Sequence, residues 1–191
     1  MVDTMTPAER DDAPVSTSKD QHQVEALAHG DSLAAKTVTI NRPRQELYDY
    51  WRDLTNLPRF MDNVERIEPL GGNRYRWIVK APAGQTVEWI ATITAERPGE
   101  AIAWASEEGA DVPNSGCIEF RDAPGDRGTW VSATIIYDPP AGIVGKVIAK
   151  LFQREPAIQA RRDLRRFKQL METGEIATGA RTRRELTEEM D

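Results

Sequence analysis

Apolar and polar residues alternate with a period of two through the middle of the chain, and with a period of three to four on either side of it. Lys36–Asn41 (KTVTIN) reads as a first strand. A helix follows over RPRQELYDYWRDL, where Pro43 suits the first helical position and Glu46 the positive end of the dipole. Leu47, Tyr50, Trp51 and Leu54 fall on one face of it. A second short helix is predicted over LPRFMDN, with Pro58 near its start. Six strand-like runs come next: VERIEPL, RYRWIVK, TVEWIATITAE, AIAWASEE, GCIEFRDA and TWVSATIIY. Most end on Gly, Pro or Asn/Asp turn residues, and their short connections imply antiparallel hairpins. GIVGKVIAKLF suggests a short amphipathic helix. Pro156 opens a longer one, PAIQARRDLRRFKQLMET, which Gly174 can terminate. Its apolar stripe is Ala157, Ala160, Leu164, Phe167 and Met171, over a length of about 27 Å at 1.5 Å per residue.

A helix with one apolar stripe must bury it, and a curved antiparallel sheet with one apolar face is the available partner. The predicted fold is α+β: a seven-stranded curved antiparallel sheet gripping a long C-terminal helix, with two short helices between strands 1 and 2. Strand alternation sets the faces. Tyr75, Trp77 and Val79 point one way, as do Val87, Trp89, Ala91 and Ile93 on the next strand, then Ile102 and Trp104. Gly116, Ile118 and Phe120 follow, with Val131, Ala133, Ile135 and Tyr137 on the last strand. Large rings beside Ala91, Gly116 and Ala133 give an uneven inner face that could enclose a hollow, although a buried aromatic is core more often than ligand contact. The residues expected to line such a hollow are Phe60 near its mouth, Tyr75, Trp77, Val79, Trp89, Ile93, Trp104, Ile118, Phe120 and Tyr137, with Leu164 and Phe167 from the helix. On the outer face, Ile78, Ile90, Cys117, Trp130 and Ile136 are apolar, which leaves the chain a monomer or a weak homodimer.

Composition narrows the chemistry. With 39% hydrophobic and 29% charged residues the chain is of ordinary globular type, and no apolar run reaches the roughly 20 residues of a membrane span, so no integral membrane segment is expected. Residues 1–35 hold seven acids against two bases and few aromatics, and are expected to be a disordered acidic tail. Residues 177–191 form a charged C-terminal tail, leaving 36–176 as the folded domain. That domain is neutral overall, so nucleic-acid binding is not expected. The start of the chain lacks the apolar core of a secretory signal, and the single cysteine, Cys117, cannot close an internal disulfide. A cytoplasmic protein is the simplest reading.

Both histidines, His22 and His29, lie in the acidic tail, so the domain has no histidine base or metal ligand. No catalytic residue, metal site or cofactor is assigned. Phosphate loops are absent, because PGDRG is a hairpin turn with no helix after it. Asp111, with Glu107 and Glu108, reads as solvated loop charge, and the arginines of RRDLRRFKQ as a solvated helix face. Tyr75, Ser106 and Tyr137 are the inward polar candidates, and no charged or histidine dyad is expected within the hollow.

VTINRPRQELYDYWRDLTNLPRFM, WIVKAPAGQTVEWIATITAERPGEAIAW and EPAIQARRDLRRFKQLMETGEI together resemble the SRPBCC superfamily, the START-like helix-grip fold. Within it they look like the polyketide cyclase/dehydrase and coenzyme Q-binding START-domain groups. The resemblance implies a deep cavity between sheet and last helix and a hydrophobic ligand, such as a lipid, isoprenoid quinone or polyketide. It transfers no catalytic residue. Three functions stay open: a non-catalytic binder of a hydrophobic small molecule, a polyketide cyclase or aromatase, and a ligand-free interaction or stress module.

Overall fold

A computed structural model describes residues 32–81, 84–137 and 156–177. The predicted tails, apart from a few residues at their inner ends, and the helix expected over 142–152 lie outside the described residues. Strand β1 (Ser32–Ile40) leads to helix α1 (Arg44–Arg52) and a 3-10 turn (Leu54–Arg59). Six strands follow: β2 (Val64–Gly71), β3 (Arg74–Lys80), β4 (Thr86–Arg97), β5 (Ala101–Ser106), β6 (Asn114–Asp122) and β7 (Thr129–Tyr137). Helix α2 (Pro156–Thr173) comes last. Among the described residues no helix is long and apolar enough to cross a membrane.

The seven strands form one antiparallel sheet in the order β1-β7-β6-β5-β4-β3-β2. Sequential hairpins build β2 to β7, and β1 closes on β7 because the chain between β1 and β2 crosses over as α1. β1 begins at Ser32, earlier than the alternation from Lys36 predicts, because β7 runs on to Tyr137 and offers Ser32 a partner. Irregular pairing between Ile93 and Ala95 in β4, and at two places in β2, bends this edge of the sheet into a cup.

Helix α2 lies in the cup, with Ala160, Leu164, Phe167 and Leu170 buried. Its stripe therefore runs through Leu170, while Met171 is half-buried at its edge. Gly174 ends it at φ +83°, its N–H donating to the Leu170 carbonyl at 2.8 Å, as a left-handed C-terminal residue should. The Arg42 guanidinium donates to the carbonyls of Met171 and Glu172 (2.7 and 3.1 Å), placing a cation at the negative end of the helix. The start of α1 is thereby tied to the end of α2.

Helix α1 buries Leu47, Tyr48 and Trp51, while Tyr50 is half-buried against the core with its ring 5.9 Å from that of Phe167. Pro43 precedes the first helical turn in extended geometry, and Pro58 sits within the 3-10 turn instead of opening a helix. Trp51, Phe60 and Phe167 meet with ring centroids 4.8 to 5.2 Å apart, and Phe120 adds its edge to Trp51 at 6.4 Å. This cluster plugs one end of the cup. On the outer face Ile78 and Ile136 are buried, while Ile90, Cys117 and Trp130 are half-buried.

Candidate functional site

The sheet and α2 do not close completely on one another. A cavity of about 150 Å³ remains between them. That is below the several hundred Å³ of a drug-sized pocket and comparable to a space that holds a single benzene-sized ring.

The strands supply its apolar wall through their alternation. Trp77 and Val79 come from β3, Trp89 and Ile93 from β4, Ile102 and Trp104 from β5, and Ala133 and Ile135 from β7. Trp77 and Trp89 are directly opposed across the β3–β4 pair, and their indoles stack with centroids 6.1 Å apart and planes 9° from parallel. Their indole N–H groups are enclosed and have no hydrogen-bond partner among the described residues. Trp104 lies over Gly116 of β6. A Cβ there would run into the indole and approach the Thr134 carbonyl oxygen to 2.6 Å. Glycine at 116 is what lets the Trp104 ring lie flat and leave space above it.

Of the residues expected to line the hollow, Trp77, Val79, Trp89, Ile93, Trp104 and Leu164 do. Phe60, Ile118, Phe120 and Phe167 do not: each is fully buried in solid core, and Phe60 sits behind Trp51 instead of at a mouth. Tyr75 packs against the core, and its hydroxyl takes a hydrogen bond from Arg52 (3.2 Å), away from the cavity. The Tyr137 side chain lies outside the described residues. Ser106 is also engaged, accepting from the Asn114 N–H at 2.9 Å.

Sequence reasoning misses the polar end. Asn63, Asn114, Gln159 and Asp163 all reach the cavity, so it carries one charge-bearing group that the inward polar candidates Tyr75, Ser106 and Tyr137 do not include. In the sequence Asp163 is one charge within a basic stretch. It nevertheless stands three residues after Ala160 and four before Phe167, on the edge of the buried stripe, and that spacing is the available signal. Gln159, one turn earlier, donates from Nε2 to both carboxylate oxygens at 2.9 and 3.1 Å. Burial pushes the Asp163 carboxyl up to about 7, helped by the negative charge of Asp62, while Gln159, Arg166 and Arg162 act the other way. Those two arginines are themselves directed at Asp62, 2.6 Å from Arg166 and 3.7 Å from Arg162.

The carboxylates singled out in the β5–β6 connection are occupied elsewhere. Glu107 is paired with Arg74 at 2.6 Å and accepts from Thr92, and these bonds hold it down at about 2. Asp111 accepts from the Glu88 N–H at 3.2 Å. Among the described residues no group of three or more His, Cys, Asp or Glu side chains could hold a metal ion. The cavity can thus receive a small apolar body against its tryptophans and present one titratable carboxyl to it.

Residues 40–165 match the model of the family described as polyketide cyclase / dehydrase and lipid transport. A protein of Deinococcus radiodurans, DR_A0006, has a solved structure that is 43% identical, with a TM-score of 0.61 over 75% of this chain and 99% of that one. The Zhui aromatase/cyclase of Streptomyces sp. R1128 shares the fold at 16% identity, with a TM-score of 0.57 over 76% of this chain and 99% of that one. An uncharacterized 17.2 kDa protein from the melC2-rnhH intergenic region of Streptomyces lincolnensis is 29% identical over 149 residues, 78% of this chain and 95% of the relative.

Proposed function

The chain belongs to the polyketide cyclase/dehydrase and lipid transport family, and from that premise we propose that it binds a small hydrophobic molecule between its sheet and α2, without transforming it. The observation that carries this is the cavity itself, about 150 Å³ walled by Trp77, Trp89 and Trp104. Apolar surface moved from water into such a space contributes about 25 cal/mol per Å² before ordering costs. The volume fits one benzene-sized ring, and a second fused ring is accommodated where it extends toward the open side of the cavity. A long isoprenoid or acyl tail is too large to be enclosed along with a ring, so the small-ring part of a quinone or polyketide-like ligand is the portion expected inside. Native mass spectrometry after gentle purification tests this, together with quenching of tryptophan fluorescence by small bicyclic compounds. A retained mass or saturable quenching is expected. Finding neither, across bicyclic hydrocarbons, ketones and fatty acids, defeats the reading.

A cyclase-type enzyme is the second reading, and Asp163 is the observation that favours it, since a carboxyl titrating at about 7 is suited to proton transfer near neutral pH. It would have to act alone, because no second titratable side chain among the described residues lines the cavity.

A further inference from the structure

We infer that the carboxyl of Asp163, braced by Gln159, is the polar anchor of the cavity, and that the molecule it receives presents a hydrogen-bond-accepting oxygen, as a ketone or quinone carbonyl does. This deepens the proposed binding function and rests on it.

Among other polar groups at the cavity, the indole N–H donors of Trp77 and Trp89, unpartnered among the described residues, are enclosed and do not titrate. The Asn114 side-chain amide donates to the Val112 carbonyl at 2.8 Å, and its main-chain N–H is taken by Ser106. The Gln159 amide N–H₂ is committed to both oxygens of Asp163. Asp163 keeps the capacity of its carboxyl beyond Gln159. The charged groups facing Asp163 are Asp62, from the turn before β2, and Arg162 and Arg166 on its own helix. Both guanidinium groups reach to Asp62, and among the described side chains the strands that wall the cavity present no titratable group to it.

A carboxylate bordering apolar space without a cation of its own is costly, and the protonated acid relieves the cost. Once protonated, the carboxyl has one oxygen to accept from Gln159 and one O–H that needs an acceptor. A carbonyl oxygen on an otherwise apolar ligand fills that need. Above the titration range the same position becomes an acceptor, which repels a carbonyl and attracts an ammonium group. The titration of Asp163 at about 7 puts this change of preference within reach of ordinary buffers.

The test compares the bicyclic hydrocarbon tetralin with its ketone, 1-tetralone, by NMR titration of the full chain at about pH 5.5 and about pH 8.5, on either side of the usual imidazole range. For the unaltered protein, 1-tetralone is expected to bind about tenfold more tightly at the lower pH, the worth of one hydrogen bond, while tetralin changes less than about twofold. Asp163→Asn, which keeps a donor of similar shape, is expected to hold the ketone with no pH dependence. Asp163→Leu is expected to erase the preference for ketone over hydrocarbon. A ketone affinity independent of pH, or a pH dependence that survives Asp163→Leu, overturns the anchor while leaving the cavity reading intact. Tighter binding of 1-aminotetralin than of the ketone at both pH values overturns the choice of a carbonyl. Failure of tetralin and 1-tetralone alike to bind defeats the cavity reading itself, and the anchor with it.

Discussion

Replacing Asp163 by asparagine should stabilise the protein, and by an amount that depends on pH. In an unfolded chain this carboxyl titrates near 3.9. In the fold it titrates at about 7, chiefly because burial disfavours the charged form. Between those values the folded state binds more protons than the unfolded state, so stability falls as pH rises through the interval. Whatever stability the protonated carboxyl contributes is fully present below about pH 4 and lost above about pH 7. Three pH units at 1.36 kcal/mol each give about 4 kcal/mol as a ceiling. The side chain is only half-buried by surface area, and solvent screening brings the expected loss to about 2 to 4 kcal/mol. The D163N amide cannot ionise and escapes this penalty. Urea denaturation followed by tryptophan fluorescence, run for both proteins from about pH 4 to about pH 8, provides the measurement. Subtracting one stability curve from the other cancels every other titrating group to first order. The two should lie within about 1 kcal/mol of each other at the acid end, with D163N ahead by about 2 to 4 kcal/mol at the alkaline end. Parallel curves across the range would refute the claim that the cavity wall strips water from this carboxyl.

Three further outcomes follow from the packing. Asp62→Asn removes the acidic neighbour of Asp163 and turns Arg166 and Arg162 toward it, so the Asp163 midpoint, read from its carboxyl carbon by NMR, should move below about 7. Gly116→Ala should cost about 1 to 3 kcal/mol in denaturation and weaken binding of bicyclic probes, because the new methyl pushes the Trp104 ring into the cavity. An unchanged midpoint and unchanged affinity would show that the ring is not held against residue 116. Phe167→Ala should cost about 3 to 5 kcal/mol and lower Tm, since the ring is fully buried and in contact with Trp51 and Phe60. A loss below about 1 kcal/mol would mean that the aromatic plug is loosely packed.

The sequence by itself determined the elements and the faces. Proline at 156 and glycine at 174 bounded α2 because their backbone preferences act within a single turn. Alternation turned Trp77, Trp89 and Trp104 inward because successive side chains on a strand have no other choice than opposite faces. The hairpin order of the sheet followed from short connections for the same local reason. Only the tertiary structure decided which inward side chains meet empty space. Phe60, Phe120 and Phe167 are as inward as the tryptophans, yet they pack solid against Trp51, which α1 brings to Phe120 and Phe167 from far away in the chain. Alternation places Gly116 on the inner face among large rings, but only the packing sets it beneath the Trp104 indole. Asp163 occupies the edge of the helical stripe by spacing, but whether that edge meets a strand, water or a hollow depends on how closely α2 settles into the cup. That depth is set by the summed volumes of side chains drawn from seven strands and two helices, a quantity that no local pattern contains.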